Sequence, residues 1–226
     1  GLEAVIDEAQ SFADNMKEGM TSGTYKEGTK AALLEAIAQA QSVLDNENAT
    51  EQEVRAAIQQ MKAALDTAKD AKNVTTAAVT VRMNDANGVP AVAEKTTVKS
   101  DDAAAYGYVK PAAMKYEVTA ADALYAAHAA MYGDAFAKDP SKYLVIDGKG
   151  MIHTLFGKET TNLGYAVNNK WVATGANETV LVDGDIFSVF LYNDKSYSDR
   201  YFYFDDVPSQ VQAGAAFTVK VRSYGY

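Results

Sequence analysis

The spacing of apolar residues changes near residue 74, and this change limits what the chain can fold into. Before it, residues 2 to about 70 contain no proline and are rich in Ala, Glu, Gln and Lys, which favour helix. After it, apolar and polar residues alternate as in a half-buried strand, first at Val79, Val81 and Met83. We therefore predict two separately packed domains, residues 2–70 and 74–226, and leave open whether the connector is helix or linker.

The first part contains three amphipathic segments joined by short polar loops. Apolar residues recur at intervals of three and four from Leu2, from a second start near Tyr25, and after Thr50. Thr50 followed by Glu53 is the pattern of a capping box, which predicts the start of the third helix. Three such stripes are buried most simply against one another, so the sequence predicts a three-helix bundle.

The order of these elements also carries a family resemblance. The residues concerned are Leu2, Ile6, Ala9, Tyr25, Ala40, Val43, Leu44, Asn46, Ala49, Thr50, Glu53, Val54, Ala57 and Leu65. With this spacing, nearly all of residues 2–69 resembles the helical repeat named FIVAR, "found in various architectures". The resemblance implies a large exported bacterial surface protein with a carbohydrate-related role, and it implies no catalytic activity.

The second part combines one predicted helix with many short strands. Thr119 and Asp122 cap a helix that we expect to run to about Ala137, before Asp139-Pro140 ends it. Strands are predicted at 79–83, 92–98, 143–146, 163–167, 170–172, 186–192, 201–204 and 217–222, with turns at 85–88 and Asn168-Asn169. The pattern indicates an α+β domain with a mostly antiparallel sheet, for which a β-grasp arrangement is the first expectation.

Residues 143–192 carry a second resemblance. It rests on Gly164-Tyr165-x-Val167-Asn168, Trp171, Gly175-Ala176 and Leu181-x-Asp183-Gly184-Asp185. This order is similar to the domain of unknown function related to the carboxy-terminal module of transcobalamin. The resemblance implies a β-grasp-like fold and, in some relatives, contact with a small molecule. Residues 205–226 either complete this domain or begin a further immunoglobulin-like domain, because 211–221 resembles the opening strand pair of one.

Charge and composition exclude several classes of protein. The net charge of −9 and the lack of a basic stripe argue against a nucleic-acid partner. The chain has no cysteine, which excludes disulfides, thiolate metal sites and a Cys nucleophile. No apolar run approaches the length of a membrane span, so we expect no membrane insertion.

The residues that carry catalysis in other proteins do not form a reactive pattern here. His128 and His153 are the two histidines, and no metal-binding spacing links them, so ordinary surface or core roles are expected. Asp183-Gly184-Asp185 and Asp205-Asp206 are each a candidate for contributing to a calcium site, but neither continues as an EF-hand loop, and a turn before a strand is the favoured explanation of the first. We predict no catalytic residues, no metal and no cofactor.

Aromatic residues are the strongest functional signal in the second part. Trp171 is the only tryptophan, and aromatic residues crowd positions 192–204. Along 201–204 we expect the phenylalanines to face inward and the tyrosines outward, where they can stack on a sugar ring or another flat ligand. The candidate set also extends to Tyr106 and Tyr108. The candidate ligand-binding residues are Trp171, Tyr165, Tyr192, Tyr201 and Tyr203.

These observations lead to one functional prediction and two alternatives. The prediction is a non-enzymatic binding or adhesion module, exported and attached to the cell wall, that recognises a glycan or small molecule through a Tyr/Trp surface. The first alternative is a passive spacer that extends a distal domain from the wall, and the second is an acid-based hydrolase. A concave surface lined by tyrosines favours binding over the spacer. We expect a monomer whose export and sorting signals lie outside these residues.

Overall fold

The chain forms an α+β protein that separates into two compact units. The computed structural model describes residues 1–84, 94–160, 162–196 and 200–223. Contacts divide the chain into Gly1–Val74 and Thr75–Tyr226. The first unit is helical and the second carries mixed and antiparallel sheets, which confirms the α+β class. The predicted turn at 85–88 and the first residues of the second predicted strand lie outside the described residues.

The first unit contains three helices that all contact one another. They are α1 (Leu2–Asn15), α2 (Thr29–Leu44) and α3 (Glu51–Asp70). The predicted capping box is confirmed, because the Thr50 side chain accepts a hydrogen bond from the Glu53 amide and the Glu53 carboxylate accepts one from the Thr50 amide. The apolar stripes of the three helices form one shared core.

The second helix begins later than the sequence predicts. It starts at Thr29 rather than near Tyr25, since Gly28 has a left-handed φ of 90° that interrupts any helix before it. The carboxylate of Glu18 accepts hydrogen bonds from the amides of Gly28 and Lys30 and so satisfies the start of α2. Tyr25 instead packs edge-on against Phe12, with 5.3 Å between the ring centres.

The second unit contains two α-helices and ten short strands among the described residues. The helices are α4 (Ala120–Tyr132) and α5 (Asp134–Lys138). The strands are β1 (Thr76–Asn84), β2 (Glu94–Lys99), β3 (Val145–Ile146), β4 (Ile152–Leu155), β5 (Lys158–Glu159), β6 (Leu163–Val167), β7 (Lys170–Trp171), β8 (Ile186–Leu191), β9 (Phe202–Asp205) and β10 (Lys220–Ser223).

The principal sheet has five strands in the order β2-β1-β8-β6-β7. All its pairs are antiparallel except β1 with β8, which run parallel, so the sheet is mixed. The predicted turn at Asn168-Asn169 is confirmed: both residues have positive φ, 52° and 61°, and they join β6 to β7. Strands β3, β4 and β5 form a second sheet, and β9 pairs with β10.

The predicted single helix from Thr119 to about Ala137 is wrong at its end. Gly133, with φ of 55° and ψ of −130°, breaks it into α4 and α5. The break turns Phe136 into the core, where its side chain is fully buried. The predicted cap at the start of α4 is confirmed, because Thr119 and Asp122 form a reciprocal capping box.

A buried ion pair holds the segment between β2 and α4. Asp122 accepts four hydrogen bonds, from the Lys110 ammonium at 2.8 Å, the Ala103 amide, and the amide and hydroxyl of Thr119. Lys110 also donates to the carbonyl oxygens of Ser100 and Glu117, at 2.6 and 2.7 Å. The two charged side chains are 4% and 0% exposed. Because every polar atom of the pair is satisfied, the charges are tolerated away from water.

Replacing Lys110 by methionine is expected to destabilise the second unit strongly. The change leaves the Asp122 carboxylate buried without its counter-ion, which lowers the free energy of unfolding by about 3–5 kcal/mol. Urea unfolding followed by the fluorescence of Trp171, the only tryptophan, measures the stability of this unit. The matched control is Lys220→Met, which breaks an exposed pair with Asp206 of the same 2.8 Å length and should change the stability little, because solvent screens exposed charges. Equal losses in the two variants would contradict this account.

Candidate ligand-binding surface

The two faces of the five-stranded sheet differ in what covers them. One face carries Val79, Val81, Phe187 and Val189, which are buried in a core shared with α4. The opposite side, which we name the outer face, carries the alternate residues of each strand. Its described positions are Lys95, Thr97, Lys99, Thr76, Ala78, Thr80, Arg82, Asn84, Ile186, Ser188, Phe190, Gly164, Ala166 and Trp171.

Aromatic rings are layered on the outer face above β6. A Cβ added at Gly164 would lie 2.7 Å from the Phe190 ring and 3.3 Å from the Trp171 ring, so both rings lie close against the bare backbone. Tyr201 stacks on Phe190 with 4.2 Å between ring centres and 10° between planes. Tyr192 meets Phe190 edge-on at 5.3 Å. We name Trp171, Phe190, Tyr192 and Tyr201 the aromatic layer.

The aromatic layer has a buried floor and an exposed part. Phe190 is 2% exposed, and the neighbouring Ala166 is fully buried. Trp171 keeps half of its surface open to solvent, at 50% exposed. An indole in this position presents an apolar face beside a polar edge, which suits stacking on a ring-shaped ligand. The structure thus brings three predicted site residues together, namely Trp171, Tyr192 and Tyr201.

The other two predicted site residues lie elsewhere. Tyr165 points to the core side of β6, where its ring meets Phe187 edge-on at 6.4 Å and its hydroxyl donates to the carbonyl oxygen of Thr174. Burial raises the pKa of Tyr165. Tyr203 lies on β9, which pairs only with β10 in the described chain. Neither side chain belongs to the aromatic layer.

The expected orientation of residues 201–204 is wrong. Phe202 and Phe204 are 61% and 64% exposed, whereas Tyr203 is half-buried. The prediction assumed that the strand covers the core, but β9 forms a two-stranded ribbon with β10, so its phenylalanine side has no core to face. The side of the ribbon opposite the phenylalanines carries Tyr203, Asp205 and Arg222. There Arg222 lies opposite Tyr203 and donates a hydrogen bond to the Asp205 carboxylate at 2.6 Å.

The remaining tyrosine candidates serve the core. Tyr106 and Tyr108 pack against Tyr125, with ring centres 6.0 and 5.7 Å away. Burial raises the pKa of Tyr125 to about 12 and raises that of Tyr108 as well. The Tyr108 hydroxyl donates to the carbonyl oxygen of Asp147. Tyr197, part of the aromatic crowding at 192–204, lies outside the described residues.

Sequence reasoning missed Phe190, Gly164 and the outer-face position of Arg82. The sequence predicts Phe190 on a strand without indicating it as a site residue, although its offset of three from Phe187 puts the two rings on opposite faces. That offset is a signal the sequence contains. The pairing of β1 with β8, which brings Arg82 opposite Ser188, joins distant parts of the chain and leaves no local signal.

The histidines lie in separate environments. His128 is fully buried on α4, with Nδ1 2.8 Å from the Leu124 carbonyl oxygen and Nε2 accepting from the Phe156 amide. Burial lowers the pKa of His128 to about 4. His153 is half-exposed and pairs with Asp147 at 2.8 Å, a hydrogen bond that lowers the pKa of Asp147. Within the described residues, no three His, Asp or Glu side chains are grouped to hold a metal.

The candidate calcium-site residues take part in turns and ion pairs. Asp183 accepts a hydrogen bond from the Ala78 amide, and Asp185 accepts from the Val182 amide and the Asn168 side chain. These contacts fix the turn that leads into β8. In the ribbon, Asp205 pairs with Arg222 and Asp206 with Lys220.

Open depressions lie on the first unit. Three of them have volumes of about 460, 400 and 330 Å³. The first is lined by Glu18, Met20, Lys26 and Asn73, and the other two are lined largely by residues of α2 and α3, including Ala64. Tyrosine lines none of these three. The aromatic layer is therefore part of a sheet face rather than of any of these depressions.

Comparison with known protein families and with curated protein sequences gives no match for this chain. Among the described helices, none combines the length and apolar character that crossing a bilayer requires.

Gly164→Ala is expected to disturb the aromatic layer and destabilise the second unit. The new methyl group would overlap the Phe190 ring, so the layer must shift at a cost of about 1–3 kcal/mol in unfolding free energy. Gly148→Ala is the matched control, because nothing lies within 4 Å of its added Cβ. Urea unfolding measures both. A Gly164→Ala protein as stable as wild type, with unchanged Trp171 emission, would contradict the close packing.

His128 is expected to make the second unit less stable as the pH falls from 6.5 towards 4. In that window the unfolded chain binds a proton that the buried imidazole, with its pKa near 4, does not bind. The lost free energy approaches roughly 3 kcal/mol at pH 4. His128→Gln should flatten this part of the stability curve, whereas His153→Gln should retain it. Urea unfolding at a series of pH values distinguishes them, and an unchanged slope in His128→Gln would refute the assignment.

Proposed function

We propose that this protein is a non-enzymatic binding module that recognises a glycan or another small ring-shaped ligand through the aromatic layer. The observation that carries the proposal is the half-exposed Trp171, held against the Gly164 backbone beside the stacked Phe190 and Tyr201 rings. A rigid, prepacked aromatic platform binds at a low entropic cost, because few side-chain rotations are lost.

We also propose the finer fold and the cellular setting. The strand order β2-β1-β8-β6-β7, with β1 parallel to β8 and α4 following β2, supports a β-grasp domain. The mutual contacts of α1, α2 and α3 support a three-helix bundle of the FIVAR type. With the transcobalamin-related resemblance, these features support a monomeric segment of an exported, wall-attached surface protein.

The proposal that the chain is not an enzyme is supported by how its polar residues are used. Asp122, Asp147, Asp183 and Asp185 accept hydrogen bonds that hold local backbone structure. His128 is enclosed in the core by aromatic rings, the closest being Phe156 at 5.3 Å. These groups stabilise the fold and do not form an opposed acid pair across a cleft.

A passive spacer is the second candidate function. It is favoured by the depressions described on the first unit, whose linings contain no tyrosine. In that case the aromatic layer serves only to cover the β6 backbone, and both units extend a distal domain from the cell surface. Binding measurements separate the two functions.

Trp171→Ala is expected to weaken ligand binding at least about tenfold, since the stacking surface is removed. A glycan array identifies ligands of the full chain, and titration calorimetry then compares wild type with the variant. Tyr116→Ala, which removes an exposed aromatic residue outside the aromatic layer, is the control and should leave the affinity unchanged. Absence of binding across broad glycan and small-molecule panels would favour the spacer.

A further inference from the structure

We infer that the ligand of the outer face is an anionic sugar, in which a ring carries a carboxylate or sulfate group. This inference rests on the proposed binding function and specifies its ligand class. It follows from a row of four residues across the sheet, from the charges on the outer face, and from one buried hydroxyl group.

Four residues lie side by side across the outer face, with the Arg82 cation at one end and the exposed Trp171 indole at the other. Arg82 on β1 lies opposite Ser188 on β8, Ser188 lies opposite Ala166 on β6, and Ala166 lies opposite Trp171 on β7. Adjacent strands are about 4.8 Å apart, so the backbones of Arg82 and Trp171 are separated by about 14 Å. Ser188 and Ala166, the two positions between them, have small side chains and are fully buried, so a ligand meets the row from solvent only at its two ends. A sugar stacked on Trp171 can extend its charged substituent above these covered positions towards Arg82.

The charge of the outer face is opposite to that of the chain. The protein has a net charge of −9. At the described outer-face positions, however, the charged residues are Arg82, Lys95 and Lys99, and no carboxylate is among them. No hydrogen bond or ion pair within the described residues engages the Arg82 side chain. A guanidinium group in this state can form a bidentate pair with a carboxylate or sulfate.

Ser188 adds a polar group at the centre of the row. Its neighbours Phe187 and Val189 face the core, so its side chain lies on the outer face. The residue is fully buried, and its hydroxyl has no hydrogen-bond partner. A buried polar group without a partner costs stability, and a ligand oxygen can supply the missing partner once the side chains that cover Ser188 move aside. The hydroxyl lies between the two ends of the proposed site, next in the row to Arg82.

Three oligosaccharides of matched length test the inference on the full chain: an oligogalacturonate, a sulfated galactan fragment and a neutral galactan fragment. Calorimetry and Trp171 fluorescence should show wild type binding at least one of the two anionic probes at least about tenfold more tightly than the neutral one. Whichever anionic probe binds identifies the charged group. This binding should weaken as NaCl increases, since ions screen the pair with Arg82.

Substitutions at Arg82 and Ser188 measure what each residue contributes to binding of the anionic probes. Arg82→Gln should reduce anionic binding about tenfold to hundredfold and leave neutral binding unchanged, and Ser188→Ala should reduce it by a smaller factor. Arg55→Gln, in the helical unit, is the charge-matched control and should change nothing. If Arg82→Gln does not fold, Arg82→Lys serves instead, because it keeps the charge but loses the bidentate geometry, and should show an intermediate loss.

The outcomes separate this inference from the proposed function. Equal affinity for neutral and anionic probes, with Arg82→Gln unchanged and Trp171→Ala impaired, overturns the anionic specificity and leaves the binding function standing. Absence of binding to all three probes overturns the anionic ligand class. If the broader glycan and small-molecule panels also show no binding, both the anionic ligand class and the binding function are overturned. Tight anionic binding that Arg55→Gln weakens as much as Arg82→Gln does would also reject the site.

Discussion

The buried pair of Lys110 and Asp122 is the contact on which the architecture of the second unit depends. It joins the end of β2, the turn at Ala103, the segment before Thr119 and the first turn of α4. The chain leaving β2 is therefore returned to one face of the sheet, where α4 packs. Since that face receives the helix and the core, the opposite face is left to the aromatic layer. A polar contact in the interior thus determines where the candidate site can be.

Local sequence signals predicted the elements better than their assembly. The capping boxes at Thr50 and Thr119 and the turn at Asn168-Asn169 depend on residues a few positions apart, and the structure confirms each. The partner of Lys110 and the parallel pairing of β1 with β8 join segments that are distant in sequence. No periodicity encodes such contacts, because they depend on which elements meet after the chain has folded.

The candidate site was predictable only in part, for the same reason. Aromatic crowding pointed to Trp171, Tyr192 and Tyr201, and these residues meet around Phe190. Tyr165 is excluded by the alternation of β6, which turns it to the core side. The orientation of Phe202 and Phe204 was predicted wrongly because alternation gives two faces without saying which one is covered. That choice depends on the partner strand, and here the partner is β10.

Gly164 shows how stability and binding are coupled on the outer face. Glycine inside a strand loses more conformational entropy on folding than alanine and packs no side chain. Here its bare backbone allows the Phe190 ring to lie against β6 and brings the Trp171 ring close. The stacked rings cover the exposed peptide groups and recover part of that loss through burial. The same contact fixes the indole in position, so an interaction that completes the fold also prepares the surface that a ligand would meet.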